Sequence, residues 1–174
     1  MSTQPMTYDN VLLITREDIN DECRPTSADE ALVDRCIEEA QNLDIIPTIG
    51  AEWWLRVIDR EDDAVAQVLW NGGLYEDTKG CKRLFSGLKK TLTYYAYGRL
   101  LRSQVGVSTR FGFQIKTDQY SDSAEMKAQM QAYNEAFATA DGYKAQCLLF
   151  INEGSCCNPR KMVNNRLNIK KIGY

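Results

Sequence analysis

Residues 121–153 read SDSAEMKAQMQAYNEAFATADGYKAQCLLFINE. Ser121-Asp122-Ser123 places oxygen acceptors at a helix start, where the first backbone N–H groups lack partners. Beyond it, positions 126, 130, 133, 137, 140, 144, 147 and 151 step alternately by four and three residues. They hold Met, Met, Tyr, Phe, Ala, Lys, Cys and Ile, with Lys144 as the one interruption. This is the spacing of a helix packed along another helix. A second stripe, Ala124, Ala128, Ala132, Ala136 and Ala140, offers small side chains over which a neighbouring helix can come close. Both stripes read as bundle core; the alternative is that one of them faces a neighbouring subunit.

Working towards the N-terminus, Lys82 to Gln104 is again helical in pattern, with Leu84, Leu88, Leu92, Tyr95 and Ala96 at three- and four-residue steps. Between these two helices the rhythm breaks. Val107-Ser108-Thr109-Arg110 and Phe113-Gln114-Ile115-Lys116 alternate in part about Gly112, which predicts a β-hairpin or extended loop within residues 105–118.

The first third of the chain predicts shorter helices. Thr15-Arg16-Glu17-Asp18 has the form of a capping box and opens a helix that Pro25 must stop. Ser27-Ala28-Asp29-Glu30 has the same form, ahead of an apolar side made by Leu32, Val33, Cys36, Ile37, Ala40 and Leu43. Pro47 suits the first turn of a further helix to about Ile58, and Glu61 to Trp70 reads as another, with Ala64, Val65, Val68 and Leu69 inward. Asn71-Gly72-Gly73 ends it, and a loop to Gly80 follows. The fold expected is mainly α: a bundle with long central helices, an inserted hairpin, and an extended C-terminal arm. It divides into an N-terminal segment (1–10), a helical domain (11–153) and the arm (154–174).

Composition removes whole classes of chemistry. The chain of 174 residues has no histidine, so Ser-His-Asp and Cys-His catalysis are excluded. Its six cysteines include no C-x-x-C pair, so neither zinc nor another metal is expected, and six free thiols suit a reducing cytoplasm. No phosphate-binding glycine loop or nucleophile elbow occurs, so no catalytic residue and no cofactor is expected. The longest apolar run, Cys147 to Ile151, is far too short to cross a membrane, and residues 1–10 lack the form of a secretory signal. Trp53-Trp54 reads as core or interface rather than a base-stacking platform. Of Tyr94, Tyr95 and Tyr97, some must face a loop or partner. Glu61-Asp62-Asp63 reads as a helix N-terminus that favours negative charge.

Charge is unevenly spread. Residues 1–63 hold 16 acids against 5 bases, whereas residues 154–174 hold five bases and no acid. The bases are Arg160, Lys161, Arg166, Lys170 and Lys171, interleaved with Met162, Val163, Leu167, Ile169 and Ile172. A segment of that kind is too short for its own core and reads as an arm laid on a partner.

The order of these parts is distinctive: Ile14-Thr15-Arg16-Glu17-Asp18-Ile19, then Ser27 to Ala40, then a central helix ending Ala96-Tyr97-Gly98-Arg99-Leu100-Leu101-Arg102-Ser103. The hairpin region, Asp118-Gln119-Tyr120-Ser121-Asp122, the long helix and the basic tail complete it. Over about residues 11–174 it resembles the head-to-tail connector (adaptor) proteins of tailed bacteriophages, particularly the ring proteins of crAss-like phages. The resemblance implies a virion protein, made in the host cytoplasm, that forms a ring in the neck, usually twelve-fold. Such a ring joins the capsid's portal protein to the next ring or tail protein and passes DNA through its lumen with non-specific contact. It implies no membrane contact. Arm residues Arg160, Lys161, Arg166, Lys170, Lys171 and Tyr174 would reach the portal or a neighbouring subunit; the non-helical insert between two long helices, carrying Arg110 and Lys116, is for its part expected to project from the bundle and contact a neighbour or line the lumen. The competing expectation is a cytoplasmic helical binding or regulatory module that contacts nucleic acid through its basic tail.

Overall fold

The computed structural model describes residues 11–103, 106–109, 112–115 and 122–154, with side chains over 11–103 and 127–153. It is mainly helical, with two antiparallel hairpins among the described residues. Helix α1 (Arg16–Glu22) opens with the predicted box: the Thr15 hydroxyl accepts from Asp18 N–H, and the Asp18 carboxylate accepts from Thr15 N–H at 2.8 Å. The helix buries Ile19 completely and stops before Pro25.

Helix α2 (Glu30–Ala40) buries Val33, Cys36, Ile37 and Ala40. Its expected capping box does not form. Asp29 is the N-cap and makes no side-chain cap bond, while the Ala28 N–H bonds to the Thr26 hydroxyl at 3.1 Å. The break expected at Pro47 is also absent. The chain stays helical through a wide π turn (Gln41–Ile45) into α3 (Ile46–Ile49), whose first turn holds Pro47 without needing its missing N–H. The break falls at Gly50, whose φ of 84° suits glycine alone, and α4 (Ala51–Ile58) follows. Buried Gln41 ties down the segment before α1, accepting from Leu13 N–H at 2.8 Å and donating to the Val11 carbonyl at 3.1 Å.

Asp63 caps α5 (Ala64–Asn71) by accepting from the N–H groups of Val65 and Ala66. Because the helix starts only after a 3-10 turn at Arg60–Asp62, its inward face is shifted. Ala66, Leu69 and Trp70 are buried, Val65 and Val68 half-buried, and Ala64 is exposed.

The largest departure lies next. Residues 73–85, read as a loop and the start of a helix, form a hairpin of β1 (Gly73–Glu76) and β2 (Lys82–Phe85). Its turn is organised by buried Asp77, which accepts from the N–H groups of Lys79 and Cys81 at 2.8 and 2.9 Å and from Arg83 at 2.9 Å. Leu84 matches the helical spacing of Leu88 but belongs to a strand. The central helix α6 begins only at Leu88 and ends at Ser103. Gly72 and Gly87 bring the two ends of the hairpin together. Both have positive φ, and a Cβ on either would collide with the backbone of the other segment.

Helix α7 (Asp122–Leu149) runs antiparallel to α6 and ends in a π turn (Phe150–Gly154). Between them lies the predicted hairpin, β3 (Gly106–Thr109) paired with β4 (Gly112–Ile115). The core gathers on α6, where Leu88, Leu92, Tyr95, Ala96 and Leu100 are all buried. The close approach foreseen from the alanine stripe occurs at Ala136 and Ala140, both buried, with Gly98 of α6 opposite Ala136 and Phe137. Lys144 is accommodated in the seam as well. It reaches Asp141 at 2.5 Å and lies over the Tyr95 ring, while the Tyr95 hydroxyl donates to Asp141. Burial, and then the Asp141 bond, push the Tyr95 phenol up to about 12.

Candidate interaction surface

The pair α6–α7 has two differently built ends. At one end, α6 starts beside the β1–β2 hairpin. Strand alternation sends Tyr75 and Phe85 inward, and Phe85 stacks on Phe150 at 4.8 Å with Tyr75 edge-on to both rings. The opposite face carries Leu74 and Leu84, direct cross-strand partners that are 63% and 78% exposed. A groove of 660 Å³ runs between this hairpin, α1 and the start of α6, with Leu84 on its wall. Helix α1 contributes Asp18, Asp21 and Glu22 to it. Lys89 pairs with Asp18 at 2.7 Å and Lys90 with Glu22 at 2.8 Å. Burial raises the Asp18 carboxyl, but Lys89 and the Thr15 bonds outweigh it and hold the group below its ordinary range. Asp21 is exposed and forms no ion pair among the described residues.

The other end is where α6 finishes. Arg99 is clasped there by the π turn and α2: its guanidinium meets both carboxylate oxygens of Asp44, at 2.8 and 3.1 Å, and Glu39 at 3.3 Å. Beside this clasp lies a second groove, of 540 Å³, between α2, α6 and α7. Its rim carries Arg35 and Arg102, both exposed, with Met130 and Tyr133 on the α7 side. Arg102 lies over the Tyr133 ring at 5.8 Å, and neither arginine has an ion pair among the described residues. Met130 is half exposed because α7, with 28 residues against 16 in α6, runs past the end of its partner. On α6 the first groove is lined by Lys89 and Lys90 and the second by Arg99, Arg102 and Ser103, a separation of about 18 Å along the helix.

Trp53 and Trp54 are half-buried against the core, and the Arg56 guanidinium covers Trp53 at 4.2 Å. Arg56 in turn holds Asp63 at 2.6 Å; that bond, then the cap bonds to Ala66 and Val65, keep the Asp63 carboxyl below its ordinary range against burial. Among the tyrosines, Tyr95 is core, whereas Tyr94 and Tyr97 are half-buried and Tyr94 packs on Tyr143. Cys36 and Cys147 are buried, as their positions on apolar stripes imply. Burial raises the Cys147 thiol to about 11.

The interface residues expected from sequence, Arg110, Lys116, Arg160, Lys161, Arg166, Lys170, Lys171 and Tyr174, lie outside the described residues. The groove residues Arg35 and Arg102 and the outward Leu74 are not among the interface residues expected from sequence, and Leu84 was expected on the inward stripe of a helix. The signal for the leucines was there: Asp77-Thr78-Lys79-Gly80 is turn chemistry between two short β-prone runs. Among the described residues no cluster of three or more His, Cys, Asp or Glu side chains could hold a metal ion, and no helix is long and apolar enough to cross a membrane.

No curated protein and no solved structure matches the chain. Residues 50–156, from just before α4 to just beyond α7 and including both hairpins, match a family of unknown function, DUF6712, and since that is more than half of its length the chain belongs to this family.

Proposed function

We propose that this chain is a structural virion protein that forms a ring in the neck of a tailed phage, joining the capsid's portal to the tail and letting DNA pass through its lumen. The observation that carries the reading is the pair of dissimilar grooves towards opposite ends of α6–α7, one with acids from α1 and one with arginines that have no ion pair among the described residues. A ring repeats one heterologous contact around an axis, so each subunit needs two different, complementary surfaces. The order of elements resembles that of connector proteins, which adds to this. In the same reading the basic arm attaches the ring to the portal or the next ring. The chain carries no catalytic role and no metal, and it acts in the virion after synthesis in the host cytoplasm.

Quantitative mass spectrometry of purified virions tests the proposal. The chain should be present at a fixed ratio to the portal protein, close to one to one for a ring of matching symmetry. Truncation after Gly154 should keep the helical content of the free protein and remove it from assembled necks. Virions that lack the chain altogether would overturn the neck reading.

A further inference from the structure

We infer that copies of this chain join head to tail, the outward Leu74–Leu84 ridge and Asp21 of one copy seating in the groove bounded by Arg35, Arg102, Met130 and Tyr133 of the next. This deepens the ring reading by naming the two faces, and rests on that reading only for the closure of the ring.

Three observations carry it. First, Leu74 and Leu84 are adjacent across the β1–β2 ladder and stand on the outer face of a two-stranded sheet, 63% and 78% exposed. The inner face of that sheet is already occupied by the Phe85–Phe150 stack, so the leucines have no function in the monomer's core. A paired apolar ridge on an otherwise charged surface marks a place where another surface docks. Second, the charges left unpaired match across the two faces. Among the described residues, Asp21 and Glu76 are acids without an ion pair beside the ridge, with Lys82 across the strand from Glu76; Arg35 and Arg102 are bases without an ion pair on the far groove, Arg102 over the Tyr133 ring, where half-exposed Met130 supplies an apolar seat. Apolar contact at the centre with opposite charges at the rim is the arrangement that fixes register between partners. Third, ridge and groove lie towards opposite ends of α6, so copies stacked in the same orientation bury one ridge against one groove and leave the next pair open, whereas a two-fold dimer would bury both pairs at once and stop at two copies. In the same-orientation stack the contact is heterologous and propagates, closing into a ring or running on as a filament.

The test uses the full-length chain, with sedimentation velocity over a wide concentration range. Two variants each break one face at exposed positions: Leu84→Asp with Asp21→Lys for the ridge, and Arg35→Glu with Arg102→Glu for the groove. Circular dichroism checks that each remains folded, with Leu84→Ala and Met130→Ala as milder replacements if one does not. The wild-type chain should associate with rising concentration, and each variant alone should lose roughly tenfold or more in association constant. An equimolar mixture of the two should form dimers and nothing larger, because each copy then offers one intact face. A wild-type chain that stays monomeric to its solubility limit or stops at two copies, variants that associate as wild type does, or a mixture that remains monomeric or grows past two copies each overturn the inference. If the groove variant self-associates normally but loses retention of duplex DNA, the groove is a nucleic-acid site and the inference is wrong. The outcomes separate from those of the neck reading. Virions lacking the chain sink that reading and leave the interface standing, whereas a monomeric chain found at portal stoichiometry does the reverse.

Discussion

The two ends of the α6–α7 pair are closed by different physics. At the hairpin end the lock is apolar: Phe85, Phe150 and Tyr75 pack ring on ring, and Thr91 meets Cys147 in the buried seam. At the far end the lock is ionic: Arg99 bridges α6 to Asp44 and Glu39, and the apolar seam thins out towards half-exposed Met130. One heptad pattern runs through both ends of α7, yet burial follows it only where α6 is alongside. A seam read from sequence thus marks what a helix is able to bury, and the length of its partner decides how much of it is buried.

The contrast can be broken most strongly at Phe150. Phe150→Ala should lower unfolding free energy by about 3–5 kcal/mol, the usual cost of removing a buried aromatic. Met130→Ala, on the same helix-pair seam, should change it by no more than about 0.5 kcal/mol. Urea titration followed by circular dichroism measures both, and equal losses would mean that the two ends are packed alike.

A smaller effect is expected at the ionic end. Arg99→Lys keeps the charge but loses the planar fork that meets both oxygens of Asp44, and should cost about 1–2 kcal/mol. In a double-mutant cycle with Asp44→Asn the losses should fall short of additive, since both substitutions remove the same contact. Full additivity would show that the clasp is incidental.

The most local effect concerns the turn of the first hairpin. The Cys81 N–H, and then the Arg83 guanidinium, hold the Asp77 carboxyl below its ordinary range. A carboxylate with a depressed folded-state pKa adds stability that is present above its unfolded value and fades as pH falls through the lowered one. Hydrogen-exchange protection of the Lys79 and Cys81 amides should therefore drop as pH falls below the usual carboxylate range. Asp77→Asn should remove that acid step without altering the exchange of α6. A wild-type hairpin whose protection is flat with pH would separate Asp77 from the turn's stability.

Much of the helical scaffold was legible because its signals are local or periodic. The box at Thr15–Asp18, the Asp63 N-terminus and the Gly72 stop each rest on a few neighbouring backbone groups. The buried faces of α2 and α6 follow from spacing, except that Leu43, expected on the apolar side of α2, falls in the π turn and is 61% exposed. Where local signals compete, tertiary contacts chose between them. Ser27 offered a cap, but the helix starts later, with Asp29 as its N-cap. Pro47 looked like a boundary, but the π turn before it let the helix continue to Gly50.

The interaction surface was less legible still, since it arises from residues far apart in the chain. Asp21 and Leu84 line one groove, and Arg35 and Met130 another, only because α1 and α2 dock on α6 and α7. By itself the sequence determined a mainly helical chain without histidine chemistry, with a hairpin between its two longest helices, because periodicity and composition act over a few residues at a time. The tertiary structure alone decided that residues 73–85 form a second hairpin and that leucines 74 and 84 face outward. Leu84 satisfies both a helical and a strand pattern, and the choice was made by Phe85 reaching Phe150 and by Asp77 finding Arg83, contacts that exist only once the chain is folded.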